Sequence, residues 1–337
     1  MKAIVRAIEY ALPEKVLTNE DLAREFPEWT VEKITEKTGI DRRHVTRDGE
    51  CASDLGVQAA ERLFASGACA PEQIDYLLYC TQSPDHFLPT TACVLQDRLK
   101  VPKTAGALDF NLGCSGYVYG LGLAKGLIET GQAQSVLLIT AETYSKFIHP
   151  GDKSVRTLFG DAAAATLVQA AERGDEAIGP FVYGTDGSGA KNLIVPAGGM
   201  RNPRTAETGA VQEDEHGNLR SEDHLYMNGP EIFTFTLLSV PKAVKALLEK
   251  SGLDMDQVDL FVFHQANRFM LDRLRKKIKI PEEKFLLAFE NFGNTVSSTI
   301  PIALKEAETT GQLKPGMKVM LVGFGVGYSW GANLIEW

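Results

Sequence analysis

The sequence predicts a layered α/β fold built from two copies of one unit, and three observations carry that prediction. Short apolar runs suited to strands alternate with helical patterns along the chain: IDYLLYC (74–80), AGALDF (105–110), SVLLIT (135–140), AAATLV (163–168), VDLFVF (258–263) and KVMLVGF (318–324). The order of elements then repeats. LFASGACAPEQIDYLLYC matches LLEKSGLDMDQVDLFVFH at an offset of 184 residues, and LIETGQAQSVLLIT matches AETTGQLKPGMKVMLVGF at an offset of 180. Finally, 337 residues suit about two units of ordinary domain size. We place the halves at 1–172 and 173–337.

Each element has a local reason. The runs at 74–80 and 258–263 follow a helix end, a Gly turn and a Gln-(Ile/Val)-Asp step, which marks the entry to a buried strand. The segment after Cys114 has helical length and ends at Gly131, although Gly116, Gly120, Gly122 and Gly126 interrupt it. Each such glycine costs about 0.8–1 kcal/mol relative to Ala in a helix interior, so close packing must compensate, and the helix is expected at the centre of the molecule. Residues 184–230, with GTDGSG, PAGGMRNPRT and QEDEHGNLRSED, are expected to form surface excursions.

Composition narrows the function classes. With 35 Lys+Arg against 44 Asp+Glu, the formal charge of −9 opposes a broad nucleic-acid footprint. No stretch of about 18 apolar residues is present and the N-terminus lacks a secretory pattern, so a cytoplasmic protein without membrane contact is expected. Five cysteines without a CxxC pair fit neither a disulfide framework nor a zinc site, and no metal is expected.

The repeat also predicts where chemistry lies. Cys114 and Asn294 stand 180 residues apart in corresponding strand-to-helix turns, and His264 ends a duplicated strand. Ligands of open α/β sheets gather at the carboxyl ends of strands. Two halves facing each other there would bring Cys114, His264 and Asn294 together. At the first turn of a helix a thiol meets unpaired N–H groups and the positive dipole end, which favours thiolate. The glycine-interrupted GFGVGYSWG loop (323–331) can offer further N–H donors to an anion.

With these residues in place, the chain resembles the β-ketoacyl-acyl-carrier-protein synthase III family of thiolase-superfamily condensing enzymes. The resemblance runs through TGIDRRHV (38–45), SPDHFLPTTACVLQ (83–96), LDFNLGCSGY (108–117), LFGDAAAATLV (158–168), HQAN (264–267), ENFGNTVSSTIP (290–301) and GVGYSWG (325–331). It implies a thiolase-like five-layered αβαβα fold from two duplicated halves, a homodimer, and a catalytic set of Cys114, His264 and Asn294. It implies that Cys114 takes an acyl group from a thioester, and that a malonyl thioester is then decarboxylated and condensed with it. The backbone of Cys114 and Val326 would form the first oxyanion hole. Coenzyme A or acyl carrier protein would bring the thioesters through phosphopantetheine, with no tightly bound cofactor.

Further positions follow from the resemblance alone. Lys33, Lys37, Lys153 and Asn267 fall where coenzyme A or phosphopantetheine is bound, and Lys33 replaces a tryptophan that stacks on adenine. Leu88, Leu112 and Phe159 fall along the acyl tunnel, Leu88 at the position that closes the tunnel of a partner subunit. The arginine usual two residues after HQAN is Phe269, which shifts the carrier-protein patch to Arg268, Arg273, Arg275, Lys276 and Lys277. These departures point to a specialised synthase of fatty-acid or secondary metabolism. Two other readings stay open at this stage: transfer of the acyl group to an oxygen or nitrogen nucleophile without decarboxylation, and a catalytically silent scaffold.

Overall fold

The structure, a computed structural model, describes residues 1–171 and 177–337. The division placed at 172/173 therefore lies outside the described residues. In chain order the strands are β1 (Lys2–Ala11), β2 (Val16–Thr18), β3 (Arg42–His44), β4 (Tyr76–Cys80), β5 (Gly106–Phe110), β6 (Ser135–Glu142), β7 (Ala162–Ala171), β8 (Ile178–Thr185), β9 (Leu193–Ile194), β10 (Gln212–Glu213), β11 (Leu219–Arg220), β12 (Tyr226–Met227), β13 (Leu260–Phe263), β14 (Lys318–Gly325) and β15 (Ser329–Glu336). The helices are α1 (Asn19–Glu25), α2 (Val31–Thr38), α3 (Ala52–Ala65), α4 (Thr91–Arg98), α5 (Gly116–Glu129), α6 (Lys153–Arg156), α7 (Gly229–Ser251), α8 (Arg268–Ile278) and α9 (Thr299–Thr309).

Two sheets carry the architecture, with strand orders β1-β7-β6-β4-β5 and β8-β15-β14-β13. In both, the strand that follows the Gln-(Ile/Val)-Asp step pairs in parallel with the strand that follows the middle-layer helix, β4 with β6 (Leu78 opposite Leu138) and β13 with β14 (Val262 opposite Leu321). The strand after that returns antiparallel. The duplicated sequence pattern thus reappears as duplicated topology.

Helices α5 and α9 touch strands of both sheets and form the middle layer, and Tyr117 and Leu121 of α5 share one hydrophobic cluster with Ile300 and Leu304 of α9. Helix α3 covers the outer face of the first sheet, and α7, with α8 against it, covers the second. The result is the αβαβα sandwich expected. Close packing compensates for the glycines of α5 at the positions nearest the site: a Cβ at Gly116 would collide with the Cys80 sulfur, and one at Gly120 would lie 2.7 Å from Leu138. Gly126, by contrast, faces open space, so packing does not explain it.

The 184–230 segment departs from expectation. It does reach the surface, yet Leu193, Ala197 and Leu225 are buried in it, and β9 pairs with β12 to bring Leu193 and Met227 onto the wall of the central cavity. Leu193 and Met227 stand in apolar runs only three residues long, LIV and LYM, between turn-rich stretches that dominate the pattern. No helix among the described residues is long and apolar enough to cross a membrane.

Candidate active site

A cavity of about 510 Å³ is lined from both halves of the fold, and Cys114, His264 and Asn294 all face it. Its remaining wall is mostly apolar, including Phe159, Leu193, Met227, Phe233 and Phe324. The sequence therefore identified three residues that the fold brings to one space.

Cys114 follows β5 in a tight turn closed by the Gly116 N–H donating to the Gly113 carbonyl (2.8 Å), directly before α5. Strand β14 runs against it so closely that a Cβ at Gly325 would lie 2.9 Å from the Cys114 sulfur. This approach lets the backbone N–H groups of Cys114 and Val326 reach the sulfur. The expected thiolate is not what the empty site favours. Burial, reinforced by the charge of Glu142, pushes the thiol up to about 12, outweighing those two donors. A resting thiol is the result, because the sulfur lies in an apolar cavity rather than at an exposed helix end.

His264 directly follows β13, its N–H donating to the Val322 carbonyl (2.8 Å), and its Nδ1 lies 2.8 Å from the Thr299 hydroxyl. Burial takes the imidazole down to about 3, so the ring is neutral. Asn294 is held from the other half of the fold: its N–H donates to Leu158 (2.9 Å) and its carbonyl accepts from Gly160 (3.0 Å), a single-residue bridge to the 158–160 segment. Its side-chain Oδ1 accepts from the Val296 N–H (3.0 Å), which leaves Nδ2 to donate into the cavity. Val296 makes that bond with φ at +57°, a left-handed conformation that costs a β-branched residue about 1–3 kcal/mol.

Sequence reasoning missed Val296, Thr299 and Glu142. Glu142 is fully buried at the end of β6, accepting from the Gln82 N–H (3.0 Å), Ser83 (3.1 Å) and Ser297 (3.0 Å), and burial raises it to about 8. An acidic residue ending a mainly apolar strand was the available signal.

The positions taken from the resemblance divide. Phe159 and Asn267 line the cavity, and Asn267 also caps α8 by accepting from the Met270 N–H (2.9 Å). Leu112 stands off the wall, its carbonyl accepting from the Cys80 thiol (3.1 Å). Leu88 is 85% exposed beside Phe87 and does not line the cavity of its own chain. Lys33 and Lys37 lie outside the cavity, their ammonium groups 5.1 and 4.9 Å from the ring centre of Trp29. An aromatic ring is thus present one turn before the position where Lys33 was taken to replace one. Lys153 is committed to Glu28 (2.7 Å).

The basic residues on α8 also divide. Arg268 pairs with Glu290, and Arg275 pairs with Glu282 (3.0 Å). Arg273 lies over the ring of Phe269, and Lys276 and Lys277 are exposed without ion pairs among the described residues. Phe269, 51% exposed, stacks on Phe233 at the mouth of the cavity. No cluster of three or more metal-ligating side chains occurs among the described residues.

Comparison with known proteins decides the family. Residues 108–187 match the family described as 3-oxoacyl-[acyl-carrier-protein (ACP)] synthase III, and residues 248–337 match its C-terminal counterpart. A β-ketoacyl-[acyl-carrier-protein] synthase III of Caldanaerobacter subterraneus subsp. tengcongensis is 37% identical over 97% of this chain and 95% of its own. The chain belongs to the 3-oxoacyl-[acyl-carrier-protein] synthase III family. Among solved structures, a 3-oxoacyl-(acyl-carrier-protein) synthase III is 56% identical with a TM-score of 0.99, each chain covered in full. A 3-oxoacyl-(acyl-carrier protein) synthase from Burkholderia xenovorans LB400 is 38% identical with a TM-score of 0.91 over all of this chain and 94% of that one. Synthases of this family are acyl-transferring condensing enzymes, and the thiolase-like fold and enzyme class expected from the sequence stand.

Proposed function

We propose that the cavity performs a two-stage decarboxylative condensation with Cys114 as nucleophile and His264 and Asn294 as hydrogen-bond donors. The observation that carries this is the convergence of a thiol, an imidazole and a free amide N–H on one apolar cavity, with two backbone N–H groups at the sulfur. In the first stage the sulfur bonds to the carbonyl carbon of an acyl thioester, the carbon–sulfur bond to the donor breaks, and the Cys114 proton leaves with the departing thiol. The N–H groups of Cys114 and Val326 hold the tetrahedral oxyanion. In the second stage a malonyl thioester loses CO₂, and the electron pair of the broken bond becomes an enolate whose oxygen accepts from His264 and Asn294. The enolate carbon then attacks the acyl-enzyme and releases the Cys114 sulfur as thiolate, which takes a proton from solvent to restore the resting thiol. No side chain has to abstract a carbon-bound proton, which suits a site whose imidazole is neutral and whose third member is an amide.

The thioesters arrive on coenzyme A or an acyl carrier protein, passing the Phe233–Phe269 rings. Arg273, Lys276 and Lys277 are the cations of α8 left for an acidic carrier, since Arg268 and Arg275 are already paired. Lys33, Lys37 and Trp29 offer an aromatic and cationic platform for a nucleotide. In the homodimer that the resemblance implies, the exposed Phe87 and Leu88 would reach the partner's tunnel, and the edge strand β5, with Leu108 43% exposed, would lie at the interface. The protein acts in the cytoplasm as a specialised synthase.

Intact-protein mass spectrometry after exposure to a panel of acyl thioesters tests the first stage, and CO₂ release from a malonyl thioester tests the second. We expect one acyl adduct, lost in Cys114→Ala, and CO₂ release that depends on His264 and Asn294. Acyl transfer to an oxygen or nitrogen nucleophile without CO₂ would overturn the condensation.

A further inference from the structure

A neutral imidazole carries one N–H between two nitrogens, so whether buried His264 can donate into the cavity depends on which nitrogen holds that proton. Nδ1 faces away from the cavity, toward the hydroxyl of Thr299, the first residue of α9, at 2.8 Å. Nε2 is the nitrogen left for the cavity that the ring lines. Two groups compete behind the ring. The Val296 backbone hydrogen-bonds it and favours its protonated form. A carbonyl can only accept, so by itself it would draw the proton to Nδ1. The Thr299 hydroxyl can donate instead. The hydroxyl also lies 3.0 Å from the Val296 carbonyl, to which it can donate and which already accepts the Thr299 backbone N–H. Its one proton thus has two acceptors, of which Nδ1, at 2.8 Å, is the nearer and has no other donor facing it.

We propose that Thr299 is a positioning residue for the condensation: its hydroxyl donates to Nδ1 of His264, places the ring proton on Nε2, and so makes a neutral imidazole a donor to the enolate oxygen. The short segment 294–299 then sets both donors. The Val296 N–H turns Asn294 so that Nδ2 faces inward, and Thr299 turns the proton of His264 inward. This rests on the proposed roles of His264 and Asn294. It goes further by naming the group that gives His264 its polarity. Without the hydroxyl, no donor remains at Nδ1, the ring proton moves there, and Nε2 presents a lone pair to developing negative charge. Losing one such donor reduces the step it serves by about 10²–10³-fold. Acylation of Cys114, which does not use that donor, is spared.

The test is ¹⁵N NMR of the histidine-labelled full-length protein, with the His264 resonances assigned by difference from His264→Ala. The same samples are assayed for acylation and for CO₂ release from a malonyl thioester. We expect wild type and Thr299→Ser to show a protonated Nε2 and a bare Nδ1, and Thr299→Val to show the reverse. Thr299→Val should lose CO₂ release by about 10²-fold or more with acylation within about threefold of wild type, and Thr299→Ser should recover most of it. A wild-type ring protonated on Nδ1 overturns the proposal even if no variant folds. So does Thr299→Val with wild-type CO₂ release, or with equal losses in both stages that Ser does not rescue. Absence of acylation in the wild type would refute the condensation reading while the spectrum still decided the tautomer.

Discussion

The turn carrying Cys114 and the turn carrying Asn294 occupy corresponding places, each leading into one of the two middle-layer helices, yet they are built by different means. The first continues from a true strand, β5, and is shaped by close approach: Gly116 against Cys80, and Gly323 and Gly325 of β14 against Cys114 and Ser115. The second has only an isolated bridge, Phe261 to Phe285, where the first has β5. It draws its support from the 158–160 segment and bends through positive φ at Gly293 and Val296. The difference suits the roles proposed for the two ends. A nucleophile needs backbone donors within reach of its sulfur, which glycines allow by giving room. A donor pair needs particular side-chain atoms aimed inward, which hydrogen bonds at Oδ1 and Nδ1 accomplish and a regular strand end would not.

The sharpest way to break this division is to remove each end in turn. Cys114→Ala should abolish the acyl adduct and lower turnover by about 10³-fold or more, read by mass spectrometry and steady-state kinetics. Asn294→Ala should keep acylation within about tenfold while decarboxylation falls by about 10²–10³-fold, read as CO₂ release from pre-acylated protein. Should Asn294→Ala stop acylation as completely as Cys114→Ala, the two turns do not divide the chemistry.

A gentler probe is charge. Glu142 stands behind Cys114 and raises it only while ionised, which happens above about pH 8. Glu142→Gln should therefore leave Cys114 alkylation by iodoacetamide unchanged below that pH and speed it above, since removing a negative charge favours the thiolate. A variant that reacted more slowly at pH 9 would exclude this electrostatic link. The smallest effect concerns packing on the Cys114 side: Gly116→Ala places a methyl group against the Cys80 sulfur and should cost about 1–3 kcal/mol, seen as a lowered midpoint in chemical denaturation. Gly126→Ala on the same helix, facing open space, should be neutral or stabilising.

Much of the fold was legible because duplication writes the same pattern twice. The runs at 74–80 and 258–263 both became strands that pair in parallel with the next long strand of their sheet, and Gly131 and Gly311 both close the middle helices with φ near +75° (76° and 74°). The 184–230 segment was read less well, since Leu193 and Met227 lie in short apolar runs between turn-rich stretches and gain meaning only from the cavity they meet. The cations from the resemblance show the same limit. Sequence can place Arg268, Arg275 and Lys153 on a surface, but not reveal that Glu290, Glu282 and Glu28 already hold them.

The sequence by itself determined the layered duplicated architecture and the three residues that meet at its centre, because periodicity, repeat spacing and residue type are local properties. The tertiary structure decided their chemical states. Burial turned the expected thiolate into a thiol and kept the imidazole neutral, since desolvation depends on everything packed around a group. It also brought Val296 and Thr299 behind Asn294 and His264, where a strained backbone and one hydroxyl set which atoms face the reacting centre.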